Sequence, residues 1–364
     1  MSGRRQFLRQ ALLAASLPAT AVSLAGCDSD DDLGAAQQAL RRPLASSTDA
    51  VTVSHELVRC ATLAANGHNT QPWRFALAPR RIAIRPDWSR RTPVVDPDDH
   101  HLWTSLGCAT ENLAVAADAL GRNAEITFDM KQIAIRLSPA AIVRSPLADA
   151  LFLRQSSRTE YDRQPLSTAV LGDLQRAGTR AGVRLLLLTD RARIASVRDF
   201  VVAGNSAQLQ DPAFVKELRQ WIRFNGREAM EKGDGLFSAA SGSPTLPTWL
   251  GGAALKLVLR EQSENEKYAK HLDSSSGVAI FIGDQATPAS WFEVGRAYER
   301  FALTATVHGV RTAFVNQPVE VPVVRNQFAQ WLGLSGQRPD LVVRFGRGPT
   351  LPYSLRRPVA QVLI

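Results

Sequence analysis

Ala61-Thr62-Leu63-Ala64-Ala65-Asn66-Gly67-His68-Asn69-Thr70-Gln71-Pro72-Trp73-Arg74-Phe75 is the most informative run in this 364-residue chain. Its first residues have the small, apolar character of a buried helix. Gly67 then supplies a turn, and Trp73–Phe75 opens a strand. Asn69 and Gln71 put two amides on that turn. An amide gives and accepts hydrogen bonds without carrying charge, which suits the edge of a heterocycle. A generic helix-to-strand turn accounts for Gly67. It does not account for the whole word Asn-Thr-Gln-Pro-Trp.

On either side the pattern alternates between helix and strand. Residues 75–77 and 82–85 read as short strands around a Pro79-Arg80-Arg81 turn. Residues 132–137, 184–189, 277–282 and 341–345 read as further strands, and 192–209 and 211–231 as helices. Asp211-Pro212 gives the second of these an N-cap and an N1 proline. One internal repeat stands out at an offset of 188. Gly107, Ala109, Glu111, Ala114, Ala117 and Gly121 match Gly295, Ala297, Glu299, Ala302, Ala305 and Gly309. Both copies predict a helix closed by a glycine, followed by a β-like run at 124–128 or 312–315. Two unrelated alanine-rich helices would give a similar match. Residues 233–251 are rich in Gly, Ser and Pro but carry Leu236, Phe237, Leu246 and Trp249, which fits a lid better than a linker.

Composition sets the outer limits. Hydrophobic residues make up 45% and charged residues 21%, a globular balance that excludes collagen-like, coiled-coil and largely disordered chains. Three cysteines, Cys27, Cys60 and Cys108, are too few for a disulfide framework and too scattered for a zinc site. The net charge is +9, and only six of the 43 basic residues are lysine. An arginine-rich chain suits anion recognition. The arginines are dispersed and no nucleic-acid-binding motif accompanies them, so nucleic acid is not an expected partner.

The N-terminus reads as an address and an anchor. Arg4-Arg5-Gln6-Phe7-Leu8 resembles a bacterial twin-arginine export signal. A moderately apolar stretch follows and ends in Leu24-Ala25-Gly26-Cys27, which resembles a lipoprotein signal-peptidase box. Cys27 is therefore the expected lipidation site, and the expected location is the periplasmic face of a membrane. Residues 1–27 form the expected signal and 28–50, beginning Asp28-Ser29-Asp30-Asp31-Asp32, the expected acidic and polar linker. Twin-arginine substrates usually cross already folded, often with a cofactor in place.

Dinucleotide, P-loop, zincin, C-x-x-C and nucleophile-elbow signatures are absent. Asp96-Pro97-Asp98-Asp99-His100-His101 has metal-ligand residue types, but reads better as a turn and an acidic helix start, so no metal is expected. The positive signals lie elsewhere. Asn69-Thr70-Gln71-Pro72-Trp73 resembles the segment of the flavin-dependent nitroreductase superfamily that borders FMN from the opposite subunit. Arg154-Gln155-Ser156-Ser157-Arg158 resembles that family's opening Arg-x-Ser-x-Arg/Lys element, though alone it also fits a solvated basic helix start. Gln317-Pro318-Val319-Glu320 resembles the Pro-x-Glu element beside the isoalloxazine, with Val321 where the family prefers Gly. Arg356-Arg357-Pro358 resembles the basic element that closes on the phosphate. The order of these motifs is most similar to the Acg-like FMN-binding oxidoreductases, over about residues 54–364.

The resemblance implies an α+β, nitroreductase-like fold with two related halves, 51–150 and 151–364, fused into an intramolecular pseudo-dimer. The chain holds the parts for one composite site. It implies FMN with its phosphate on Arg154, Arg158 and Arg356 or Arg357, and its ribityl chain or ring near Ser156, Asn69, Gln71 and His68. Pro318 and Glu320 would line the N5 edge, with the Glu320 backbone N–H facing N5. His68 would either protonate a reduced substrate or hold the turn. Expected partners are a small acceptor such as a quinone or nitroaromatic and a donor such as a membrane quinol or redox protein. The alternative is a protein that holds FMN with little turnover. A monomer fits the fused pseudo-dimer.

Overall fold

The computed structural model describes residues 27–249, 260–334 and 336–364. Residues 1–26 of the expected signal, and 250–251 of the expected lid, lie outside the described residues.

The first sheet is four-stranded and antiparallel, formed by β1 (Trp73–Ala78), β2 (Arg81–Pro86), β3 (Arg122–Asp129) and β4 (Gln132–Pro139), in the order β1-β2-β4-β3. Period-two alternation puts Trp73 and Phe75 on one face, with Ile82 paired to Ile135 and Ile84 to Ile133. All six are buried against the helices. The second sheet joins β5 (Val183–Leu188), β8 (Gly277–Gly283), β9 (Arg311–Phe314) and β10 (Leu341–Gly346) in the order β5-β8-β10-β9. Every residue of β8 and β10 is buried, because both faces are covered. Ala279, Phe281, Leu341, Val343 and Phe345 face the core shared with the first sheet. Val278, Ile280, Ile282 and Val342 face a second core. That core contains Ile194, Val197 and Val201 of α6 (Arg191–Gln210) and Phe328 of the helix Pro322–Trp331.

Two 20-residue helices join the sheets: α3 (His100–Ala119) and the helix Pro288–Val307, here α10. They carry the repeat and cross at its glycines. A Cβ on Gly107 would sit 2.0 Å from the Phe292 carbonyl oxygen, and one on Gly295 2.0 Å from that of Thr104. The offset relating Gly107 to Gly295 also relates Thr104 to Phe292. This reciprocity is the signature of a two-fold contact, here within one chain. Gly121 and Gly309, just past the two helices, both have positive φ, 68° and 66°. Around the crossing Phe281 and Phe301 pack edge to face at 5.5 Å. Burying each such ring contributes about 1.5–3 kcal/mol.

Several boundaries differ from expectation. Residues 28–50 are not wholly a linker: Cys27–Leu40 form α1, whose Leu33 is buried with Ala229, Phe237 and Leu355. Leu33, Ala36 and Leu40 recur at helical spacing, and this stripe outweighs the acidic start. The division at 150/151 falls inside α4 (Pro146–Leu153). The second half does not end on itself. Leu363 pairs with Phe75 as an added parallel bridge, and the Ile364 N–H donates to the Phe75 carbonyl at 3.0 Å. The expected helix 211–231 is broken into α7 (Pro212–Trp221), the short β6 (Ile222–Arg223) and α8 (Gly226–Lys232). Asn225 breaks it, because its Oδ1 caps the Glu228 N–H and starts a new helix. The expected lid region opens with β7 (Leu236–Phe237), which pairs with β6.

Candidate functional site

The turn after α2 (Ala50–Thr62) is strained. His68, Asn69 and Gln71 have φ of 47°, 53° and 54°, the left-handed region that side chains other than glycine seldom adopt. The strain persists because the turn is overdetermined. Asn66 Oδ1 accepts the Gln71 N–H at 2.8 Å. Asn69 Nδ2 donates to the carbonyls of Gly235 and Leu355, and the Gly235 N–H returns a bond to the Asn69 carbonyl. Gln71 Nε2 donates to the Gly233 carbonyl at 2.8 Å. The segment 233–235 is thus laced to the turn. Asp234 is also clamped between Arg90 and Arg223.

Two adjoining hollows share Ala65, Asn66, Arg158 and Leu236. The larger is a cleft of about 1110 Å3, counted with its open mouth. The first sequence half contributes Gly67, His68, His101 and Cys108, and the second Gln208, Tyr268, Phe314 and Glu320. The smaller is a cradle lined by Asn69, Ser156, Tyr353 and four arginines, Arg41, Arg154, Arg158 and Arg356. The carboxyl end of α2 aims two of them. Arg356 Nε donates to the Thr62 carbonyl at 2.7 Å and Arg154 Nη2 to that of Leu63 at 2.8 Å. Cations are favoured at a helix C-terminus, where carbonyls lack partners. Arg41 donates to the carbonyls of Phe152 and Arg154 and lies 3.7 Å over the Tyr353 ring.

Charge in the cradle is unbalanced. Glu299 of α10 is fully buried and lies 2.9 Å from Arg154 Nε. It holds the Arg154 guanidinium charged despite burial. Burial and the neighbouring Arg154 push the Arg356 pKa down to about 9. Burial, Arg356 and Arg154 also lower that of Arg41. Four guanidiniums thus face one carboxylate. The buried Arg154 Nη1 and Asn69 Oδ1 have no hydrogen-bond partner among the described residues. Such an arrangement calls for an anionic oxygen ligand.

The structure gathers most of the expected residues and sets some aside. Asn69, Arg154, Ser156, Arg158 and Arg356 line the cradle, while His68 and Glu320 line the cleft. Gln71 does neither. It is fully buried, and its Oε1 accepts the Arg357 N–H at 2.9 Å. Arg357 leaves the cradle because its Nη2 is taken by the carbonyls of Gln71 and Trp73. Pro318 is buried outside both hollows, where it opens a short helix, α11 (Gln317–Glu320). That helix also corrects the expected role of the Glu320 backbone: its N–H donates to the Asn316 carbonyl at 3.0 Å and does not face the cleft as a free donor. Arg41, Asn66, His101, Gln208 and Glu299 were not singled out from sequence as site residues. Glu299 left a trace there as a carboxylate repeated in two alanine-rich helices, His101 as part of the Asp96–His101 run, and Asn66 as a member of the turn.

Asp96, His100 and His101 bring ligand-type atoms within 4.8 Å of one another. Asp96 is already occupied as a cap, accepting the N–H groups of His101 and Leu102 at 2.9 and 3.0 Å. His100 Nε2 lies 3.1 Å from Asp340, and His101 Nε2 3.2 Å from Glu320.

No family model matches the chain. Among curated proteins it is similar to two from Mycobacterium tuberculosis, each carrying the name "Putative NAD(P)H nitroreductase". One is 26% identical over 331 residues, covering 86% of this chain and 92% of the relative. The other, further designated acg, is 24% identical over 321 residues, covering 84% and 93%. Among solved structures, a nitroreductase with bound FMN from Bacteroides fragilis covers 57% of this chain and 90% of its own at 14% identity and TM-score 0.35. An iodotyrosine deiodinase bound to FMN and 3-iodo-L-tyrosine covers 57% and 94% at 10% identity and TM-score 0.36.

Proposed function

We propose that the chain is an FMN-dependent oxidoreductase of the nitroreductase type, tethered to the outer face of a membrane through lipidated Cys27. The observation that carries the flavin reading is the unbalanced arginine cradle opening into a mixed polar and apolar cleft at the junction of the two halves. A phosphate supplies the missing negative charge, and a planar ring fits beside Asn66, His68 and Phe314. The names of the curated relatives point the same way.

Bound FMN would supply two-electron chemistry at its ring; the protein binds, orients and shields it. Arg41, Arg154, Arg158 and Arg356 would hold the phosphate, with Ser156 and Asn69 beside them. The turn 66–71 is held against the cleft by its bonds to residues 233–235. The open mouth admits a small acceptor, a quinone or a nitroaromatic. Nicotinamide cofactors are scarce outside the cytoplasm, so a membrane quinol or a redox partner is the donor that suits an exported protein. One observation favours the second reading, a flavin-holding protein with little turnover: the strap at 233–240 carries Leu236 into both hollows.

Protein expressed in the cytoplasm should be yellow, with close to one FMN per chain by absorbance after denaturation. A colourless protein that takes up no added FMN would sink both readings. Dithionite reduction followed by a quinone then separates them. Rapid, repeated reoxidation marks the enzyme, and an inert reduced flavin the holder. Cys27→Ser should release the exported protein from membranes, and persistent membrane association would refute the lipid anchor.

A further inference from the structure

The cleft presents two histidines in opposite electrostatic settings. Burial pushes the His68 imidazole down to about 4, so it is neutral at neutral pH. His101, in the first turn of α3, lines the same cleft. Its Nε2 lies 3.2 Å from Glu320 Oε1 on α11. Glu320 Oε2 accepts from Gln208 Nε2 of α6 at 2.6 Å, so both carboxylate oxygens are engaged.

The groups facing His101 come from every neighbouring element. Asp96 precedes α3, His100 is its chain neighbour, Glu320 faces it from α11, His68 from the turn, and Arg338 and Asp340 from the loop before β10. Arg338 is itself engaged, with Asp98 at 2.5 Å and Asp340 at 3.6 Å. Burial opposes the His101 imidazolium, and so does Arg338. The hydrogen bond to Glu320 and the charges of Asp96 and Glu320 outweigh them and raise its pKa above the ordinary histidine value. Glu320 is held below the usual carboxylate range: its bonds to His101 and Gln208 overcome its burial. His100 cannot substitute, because burial and the adjacent His101 keep it neutral.

We infer that His101 is the proton donor to the acceptor reduced in the cleft, with Glu320 positioning its imidazolium and Gln208 fixing Glu320. The inference rests on the oxidoreductase reading above. A quinone becoming a hydroquinone takes two electrons and two protons. Bound, reduced FMN would supply both electrons and one proton as hydride. His101 gives the second proton to the quinone oxygen. Its Nε2–H stays on Glu320, so Nδ1 is the nitrogen that releases the proton. The neutral ring is then reprotonated by water through the open mouth.

The test uses the FMN-loaded protein, loading being confirmed by its visible spectrum. Nitrogen-15 histidine NMR should show His101 titrating above the ordinary 6.5, and Glu320→Gln should lower that midpoint by about one unit or more. Separately, the flavin is reduced anaerobically and mixed with a soluble naphthoquinone across a pH series. Wild-type reoxidation should slow as pH rises through the His101 midpoint. His101→Gln should be slower by about 10²-fold at neutral pH and lose that dependence. Glu320→Gln should move the fall to lower pH. A loaded His101→Gln protein with the wild-type rate and profile overturns the inference alone. So does a His101 midpoint that Glu320→Gln leaves unmoved. A wild-type protein that takes up no FMN overturns the functional reading, and this inference falls with it.

Discussion

Arg356 and Arg357 are neighbours with opposite fates, and the difference is local. Arg356 reaches the carbonyl end of α2 and turns toward the cradle, while Arg357 reaches back to Gln71 and Trp73. Arg41→Ala and Arg356→Ala should therefore each weaken FMN binding. A charge-assisted bond is worth about 1.5–3 kcal/mol, roughly 10- to 150-fold in dissociation constant. Arg357→Ala should leave affinity within a few-fold and lower the melting temperature instead, because Gln71 loses a buried partner. Quenching of flavin fluorescence on titration, paired with thermal unfolding, separates the two classes. Equal affinity losses for Arg356 and Arg357 would show that the phosphate sits elsewhere. Motif reading found this Arg-Arg pair, yet it could not say which arginine turns inward. That depends on which carbonyls lie within reach of each.

At the scale of elements, the N-terminal arm forms part of the site. α1 packs Leu33 into a small core and delivers Arg41 to the cradle. The arm is pinned to α2 by Glu56, which bonds Arg42, the Ala45 N–H and Arg59. Although burial opposes ionisation, bonds from Arg59 and Arg42 hold the Glu56 pKa down to about 2. A lowered carboxyl pKa gives stability that is fully present above the ordinary value, near 4.5. It is lost as pH falls through the folded value, near 2. Wild-type stability should therefore decline between these limits, and Glu56→Gln should flatten that part of the curve. The variant should also be less stable at neutral pH, by about 1–3 kcal/mol, the usual cost of weakening charge-assisted hydrogen bonds. Urea unfolding at stepped pH gives both results, and an unchanged acid limb in Glu56→Gln would contradict this account. The same arm shows where a local pattern misleads. The acidic start at Asp28–Asp32 suggests a tether, while the Leu33, Ala36 and Leu40 stripe needs a partner surface before it counts as helix.

The whole molecule is organised by the crossing of α3 and α10. Gly107 and Gly295 meet each other's helix backbone, so neither has room for a methyl group. Gly107→Ala or Gly295→Ala should each destabilise by about 1–3 kcal/mol or more, because backbone cannot yield as a side chain does. A melting temperature within error of wild type for either would refute the close crossing. The pseudo-two-fold stops at the carboxylates. Glu299 pairs with the cradle residue Arg154, whereas its repeat partner Glu111, equally buried, is filled in by Arg180, Arg296 and Arg300. One repeat position thus supports a residue of a hollow and the other belongs to a closed ion cluster. This asymmetry fits the proposal of one cofactor per chain, which the FMN stoichiometry tests.

By itself the sequence determined the elements and the chemistry on offer. Strand alternation, the glycine-closed helices, the amide-bearing turn and the arginine motifs are short-range properties, set by neighbours a few residues apart. Only the tertiary structure decided which groups share a hollow. Arg41 and Arg356 lie more than 300 positions apart in the chain and line one cradle. His101 and Glu320 come from different halves and form one ion pair. Gln71 and Arg357 leave the site because they satisfy each other. A side chain's charge state and orientation depend on burial and on partners supplied by distant segments, and no local pattern records those.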